Sequence, residues 1–303
     1  MRTLVLLFVG VMGCGAEPTQ ALRPGASRIV AVGAHGLIAE WSAGGWQIVP
    51  SGTSADLSAV VAHAGGFVAV GNGGAIVSST EPGVWAAQES GTSIDLNDIV
   101  DTGTKLVAVG GDWSTGATTV VREDGEHWRS VLSPQGQMFH AIATLDQLII
   151  AAAYLRSDLQ LPKLFASRLE QSSALSGWAE QPGPDFFDSV RTPDGVAVAG
   201  GGTFARSTDG ITWTSSSLPI FATAIARDGP RFVVAGGDGA ATSLDGVAWE
   251  TIDGSGFTGA AAGGGEMVLV ARDGTVRRSG DGVEWSDETI PSASDVRAVA
   301  VAQ

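Results

Sequence analysis

The chain has 303 residues, Lys+Arg 17 against Asp+Glu 32 for a formal net charge of −15, Gly 43 and Cys 1. A hydrophobic content of 44% excludes wholesale disorder. An acidic chain whose only lysines are Lys105 and Lys163 cannot track a phosphate backbone, and one cysteine builds neither an internal disulfide nor a zinc finger.

Residues 1–14 read MRTLVLLFVGVMGC. Arg2 precedes an apolar run, Leu4 to Met12, that is shorter than the roughly 20 residues a membrane-spanning helix needs. The run fits the apolar region of a secretory signal, here residues 1–13. Residues 14–27 are rich in Gly, Pro and polar side chains and read as a flexible tether. The remainder, 28–303, is one repetitive unit.

Short β-branched runs between Gly, Asp and Pro turns fill this unit, and no helical period interrupts them. Each repeat opens on a short apolar segment such as Leu57–Val61. A run of the Phe67-Val68-Ala69-Val70-Gly71 kind follows, then a strand such as Ala75–Ser78. The turn into the last strand recurs as Ser207-Thr208-Asp209-Gly210-Ile211-Thr212-Trp213, again from Ser243 to Trp249 and again from Ser279 to Trp285. A fourth copy, Arg122 to Trp128, keeps Asp124 and loses the serine, and a fifth, Ser79 to Trp85, keeps serine and tryptophan.

Tryptophans at 46, 85, 128, 178, 213, 249 and 285 mark the period, with a mean step of about 40. That is the length of a four-stranded propeller blade. Residues 28–49 supply only the last three strands of a unit, and Asp295–Val301 is a first strand without a unit. Joined, they complete a seventh blade and close the ring without a free sheet edge. The expected fold is therefore an all-β, seven-bladed propeller of four-stranded antiparallel blades. Asp124, Asp209, Asp245 and Asp281 are expected to accept backbone N–H bonds within their turns, with Trp128, Trp213, Trp249 and Trp285 covering those turns.

The Ser-x-Asp-Gly-x-x-Trp turns resemble Asp-box (BNR) repeats, and residues 28–303 resemble the propellers that carry them. Sialidases, some endoglucanases, sortilin-type receptors and photosystem assembly factors belong to that group. The Val-Ala-Val-Gly strands are most similar to its assembly-factor and bacterial-lipoprotein members. Val11-Met12-Gly13-Cys14 likewise resembles a lipobox, which implies lipidation of Cys14, export and anchorage in a bacterial envelope, at the outer membrane or cell surface. The resemblance implies fold rather than activity.

Enzyme signatures are missing: no nucleophile elbow, phosphate loop or metal-ligand spacing is present, and no metal or cofactor is expected. The sialidase Phe-Arg-Ile-Pro segment is absent. A ligand is expected where propeller loops are long. The connections between strands two and three are enlarged at Gly111–Gly116, with Trp113, and at Tyr154–Lys163, with Tyr154 and Arg156. Aligning the first strands places Ser58, Asn97, His140, Asp188, Ala222, Thr258 and Arg297 at one position per blade, near the channel mouth. Asp98 follows at the next position. The candidate ligand contacts are thus Asn97, Asp98, Trp113, His140, Tyr154, Arg156, Asp188 and Arg297. The reading is a monomeric, non-catalytic, lipid-anchored scaffold for a protein or glycan. The alternatives are a glycoside hydrolase using channel-mouth carboxylates and an assembly factor for a membrane complex.

Overall fold

A computed structural model describes residues 28–302 apart from 43, 113, 115, 123–126, 132, 134–136, 156–157 and 169–176. It is a seven-bladed propeller of antiparallel blades. Blade I pairs Val296–Ala302 with Arg28–Gly33, so the end of the chain supplies the innermost strand that its start lacks. The register runs from Arg28 opposite Ala302 to Gly33 opposite Val296. Blades II to VII begin with Leu57–His63, Leu96–Asp101, Gln137–Leu145, Asp188–Thr192, Ala224–Asp228 and Phe257–Gly263. Each of these first strands touches the next, and the last touches that of blade I, so they ring a central channel.

Burial follows strand position. The second strands are buried on both faces because blades stack against both, hence continuous runs such as Gly66–Gly71. Fourth strands such as Val84–Gln88 face solvent at the rim. Seven apolar clusters lie between blades rather than within them. Val268, Val270 and Val276 of blade VII, for example, meet Ile29, Ala31 and Val296 of blade I.

In blade V the stretch Gly195–Ser207 supplies both middle strands, pairing with Asp188–Thr192 at its start and with Thr214–Ala222 at its end. It reverses at Gly200-Gly201-Gly202, where Gly201 has φ 56°. The connection at Tyr154–Lys163 is not a loop but an extension of the blade IV hairpin, with Leu155 opposite Asp158. Cys14, Trp113, Asp124 and Arg156 lie outside the described residues.

The turns at 207–213, 243–249 and 279–285 share one geometry. Ser243 Oγ accepts from Gly246 N at 2.9 Å, and Asp245 Oδ1 accepts from Val247 N and Ala248 N at 2.8 and 2.9 Å. These bonds hold the aspartates below the ordinary carboxylate range, Asp209 at about 2. Gly246 needs its φ of 73°, and a Cβ there would overlap the Phe204 ring of blade V.

The tryptophans correct one expectation. They do not simply cover their own turns; each packs into the seam with the preceding blade. Trp249 meets Phe204 at 5.3 Å, Trp213 joins the blade IV–V cluster and Trp285 the blade VI–VII cluster. An indole is wide enough to reach across a seam, whereas the turn beneath it is already closed by its own hydrogen bonds.

Candidate functional site

Connections from strand four to the next strand one, and from strand two to strand three, share one face, called here the loop face. The channel opens onto it through a cavity of about 400 Å³ whose lining includes Asn97, Asp98, His140, Phe187, Asp188 and Arg297. The mouth is shaped by a bulge near the start of the first strands. Ladder register slips between Leu57 and Ala59, Leu96 and Asp98, Phe139 and Ala141, and Phe257 and Gly259. Each slip leaves one extra residue: Ser58, Asn97, His140 and Thr258. The bulge also explains the glycine ending Phe67-Val68-Ala69-Val70-Gly71, since a Cβ on Gly71 would overlap the Asp56 carbonyl.

This register corrects the sequence alignment in two blades. Asp188 pairs with Ala199 and Ala224 with Ala235, so the bulge positions of blades V and VI are Phe187 and Thr223 rather than Asp188 and Ala222. Asp188 therefore corresponds to Asp98, one residue past the bulge. The adjacent pairs Phe186-Phe187 and Phe221-Ala222 each offer two apolar residues for one slot, and only the ladder selects between them.

Most polar groups of the mouth tie one blade to the next. Asn97 Nδ2 donates to Phe139 O at 2.7 Å, His140 Nε2 lies 3.0 Å from Phe186 O, and Thr258 Oγ1 donates to Val296 O at 2.8 Å. Arg297 Nη2 spans Asp295 and Asp56 at 2.7 and 2.9 Å, the latter at the start of blade II. Asp98 accepts from Ile99 N and, across the seam, from Ile142 N at 2.8 Å. Asp188 repeats this with Ser189 N and Ile225 N at 2.9 Å. Burial raises both carboxyls, Asp188 to about 7, and the charge of Asp188 pushes Asp98 up further.

What these ties leave open is aromatic. Tyr154 stacks on His140 with centroids 4.3 Å apart and 21° between planes. Phe187 lies 5.4 Å from His140, and Phe221 lies 6.0 Å from Phe187. The row crosses blades IV to VI and ends on Phe221, which is 55% exposed. Asp185 sits beside it, 3.2 Å from His140 Nε2, and with burial raises the Tyr154 hydroxyl. Sequence reasoning found His140 and Tyr154 but missed Phe187, Phe221 and Asp185. Two exposed-loop aromatics next to first strands were the available signal.

The loop face is acidic. The loop face carries Asp56, Glu89, Asp95, Asp185, Asp253 and Asp295 after the fourth strands, and Asp112, Asp238 and Asp273 after the second. Among the described residues of these loops and the mouth, the lysine and arginine side chains are Lys163, which binds Glu180, and Arg272 and Arg297, which both bind Asp295. Arg28, Arg206, Arg227, Arg231 and Arg278 lie toward the opposite face, interspersed with Asp101, Asp146, Asp194, Asp209, Asp228, Asp245 and Asp281. No group of three or more His, Cys, Asp or Glu that could hold a metal ion occurs among the described residues.

No protein-family model matches the sequence, and no curated protein matches it either. Solved structures share its fold. The computationally designed Ika8 protein aligns with TM-score 0.61 and 16% identity, over 92% of this chain and 88% of that one. The WD40 propeller domain of Doa1 aligns with TM-score 0.57 and 16% identity, over 79% and 84%. Apo AztD from Citrobacter koseri aligns with TM-score 0.59 and 9% identity, over 91% and 98%. At these identities the likeness carries the fold alone.

Proposed function

We propose that this chain is a non-catalytic binding scaffold, exported and lipid-anchored at Cys14, that presents its loop face to a protein or glycan partner in the bacterial envelope. The anchor and the address rest on residues 1–14. The binding role rests on one observation: the Tyr154–His140–Phe187–Phe221 row, part exposed, beside a channel most of whose polar groups are engaged in holding blades together. Aromatic faces on a rigid scaffold give contact area at little entropic cost. The test is affinity purification of the anchored protein from its own cells after mild detergent extraction. A partner lost with Phe221→Ala supports the reading, and a partner set identical in wild type and variant overturns it. Cys14→Ser is expected to release the protein from the membrane fraction.

A second reading, glycoside hydrolysis, is favoured by Asp98 and Asp188, two raised carboxyls lining the same channel. Both are already bonded to two backbone N–H groups, which places it second. Glycosidase activity on a panel of aryl glycosides, abolished by Asp98→Asn, would reverse the order.

A further inference from the structure

We infer that the loop face recognises a basic, arginine- or lysine-bearing segment of a partner protein, one of whose cationic side chains enters the channel mouth against the aromatic row. The inference rests on the binding-scaffold reading and specifies its partner's chemistry.

Three independent features of the mouth call for a cationic N–H donor. The first is an unused acceptor. His140 Nε2 faces the Phe186 carbonyl, which only accepts, and lies 3.2 Å from Asp185 Oδ1, a buried carboxylate oxygen that takes no hydrogen bond among the described residues. That oxygen stands beside a His140 side chain that is only 10% exposed and lines the channel. Second, the adjoining Tyr154, Phe187 and Phe221 rings offer negative π faces of the kind that attract ammonium and guanidinium groups.

The third feature is the field. Acidic side chains lie around the mouth in loops of several blades, and the two arginines among them are committed to Asp295. A surface of one sign raises the local concentration of the opposite charge and steers its approach. The distribution also selects the size of the guest. A single amine could use only the mouth, whereas Glu89 and Asp253, exposed on the loops before blades III and VII, can be engaged together only by an extended chain with several positive charges.

The experiment measures binding of a fluorescent oligo-arginine peptide to the mature, folded protein, with oligo-glutamate of equal length and arginine amide as comparison probes. Wild type is expected to bind oligo-arginine in a salt-sensitive manner, and to bind arginine amide at least roughly a hundredfold more weakly. Glu89→Lys combined with Asp253→Lys, both at exposed positions, should weaken oligo-arginine by roughly tenfold or more. Phe187→Ala, with its fold checked by circular dichroism, should weaken it about fivefold even at high salt. Glu284→Lys on the opposite face should leave it unchanged.

Equal weakening by Glu284→Lys would reduce the effect to unspecific charge attraction and overturn the inference. So would indifference to Phe187→Ala, or arginine amide binding as tightly as the oligomer. If oligo-arginine fails while a native partner is still lost with Phe221→Ala, the scaffold reading stands and only the partner's basic character falls. If that native partner set is also unaffected, both fall.

Discussion

Blades I to III and blades V to VII close the same kind of seam by different chemistry. In the first group the indole N–H reaches an acceptor on the preceding blade. Trp46 donates to Glu288 at 2.9 Å, Trp85 to Glu40 at 2.8 Å and Trp128 to Gln88 at 2.7 Å. Glu40 also accepts from Gly83 N at 2.9 Å, doing from a neighbouring blade what Asp245 does from within its own turn. In the second group the turn closes itself, and the indoles of Trp213, Trp249 and Trp285 have no acceptor among the described residues. The turn glycine instead presses on the preceding blade, Gly210 on Leu148 and Gly246 on Phe204. One group is held by polar reach and the other by close fit.

Substitutions can break this contrast. The largest effect belongs to what both groups share: Trp249→Ala and Trp85→Ala should each cost about 3–5 kcal/mol in denaturant unfolding followed by circular dichroism. A loss under 1 kcal/mol for either would show that its seam does not depend on the indole. Next, Gly246→Ala combines a left-handed backbone with overlap of Phe204 and should cost about 2–5 kcal/mol. Gly83→Ala has the same sign of φ, 74°, but open space around it, and should cost about 1–2 kcal/mol. Similar losses for the two would erase the distinction between close fit and reach.

Removing only the N–H sharpens the polar side of the comparison. Trp85→Phe strands an acceptor on Glu40 and should cost about 1–3 kcal/mol more than Trp249→Phe, which strands nothing. pH acts on the same fold from two sides. The turn aspartates are depressed, so their contribution is present above 3.8 and lost as pH falls toward about 2. Asp188 is raised to about 7, so the folded state holds the extra proton between 3.8 and 7 and stability falls as pH rises through that window. Unfolding free energy should peak at roughly pH 4–5, and Asp188→Asn should flatten the decline on the alkaline side. A decline unchanged in the variant would assign it elsewhere.

The architecture was legible because each blade repeats one apolar order, and because the three-strand start and one-strand end of the unit fit together. Strand register was legible only where a single apolar residue could lead the first strand. Phe186-Phe187 and Phe221-Ala222 defeated it, and with it the equivalence of Asp98 and Asp188. The seam partners were only partly announced: Gln88 and Glu288 stand at equivalent places on fourth strands, three residues after Trp85 and Trp285, whereas Glu40 lies on a third strand and shares no spacing with them. A further repeat was readable and passed over. Ser51-Gly52-Thr53-Ser54 and Ser90-Gly91-Thr92-Ser93 precede Asp56 and Asp95, and in both the serine hydroxyl donates to the threonine carbonyl at 3.0 Å. Asn97, Asp98, His140, Asp188 and Arg297 line one channel, but nothing in their spacing told that their polar tips were already engaged with neighbouring blades.

Blade I is also the one sheet whose strands come from opposite ends of the folded chain. Because Arg28 stands opposite Ala302, the two ends leave the disc side by side. Tension applied between them would part the ladder pair by pair, like a zipper, rather than load all its bonds in shear. The wheel thus has a mechanically soft joint, while pulling across any other blade must first break a continuous hairpin.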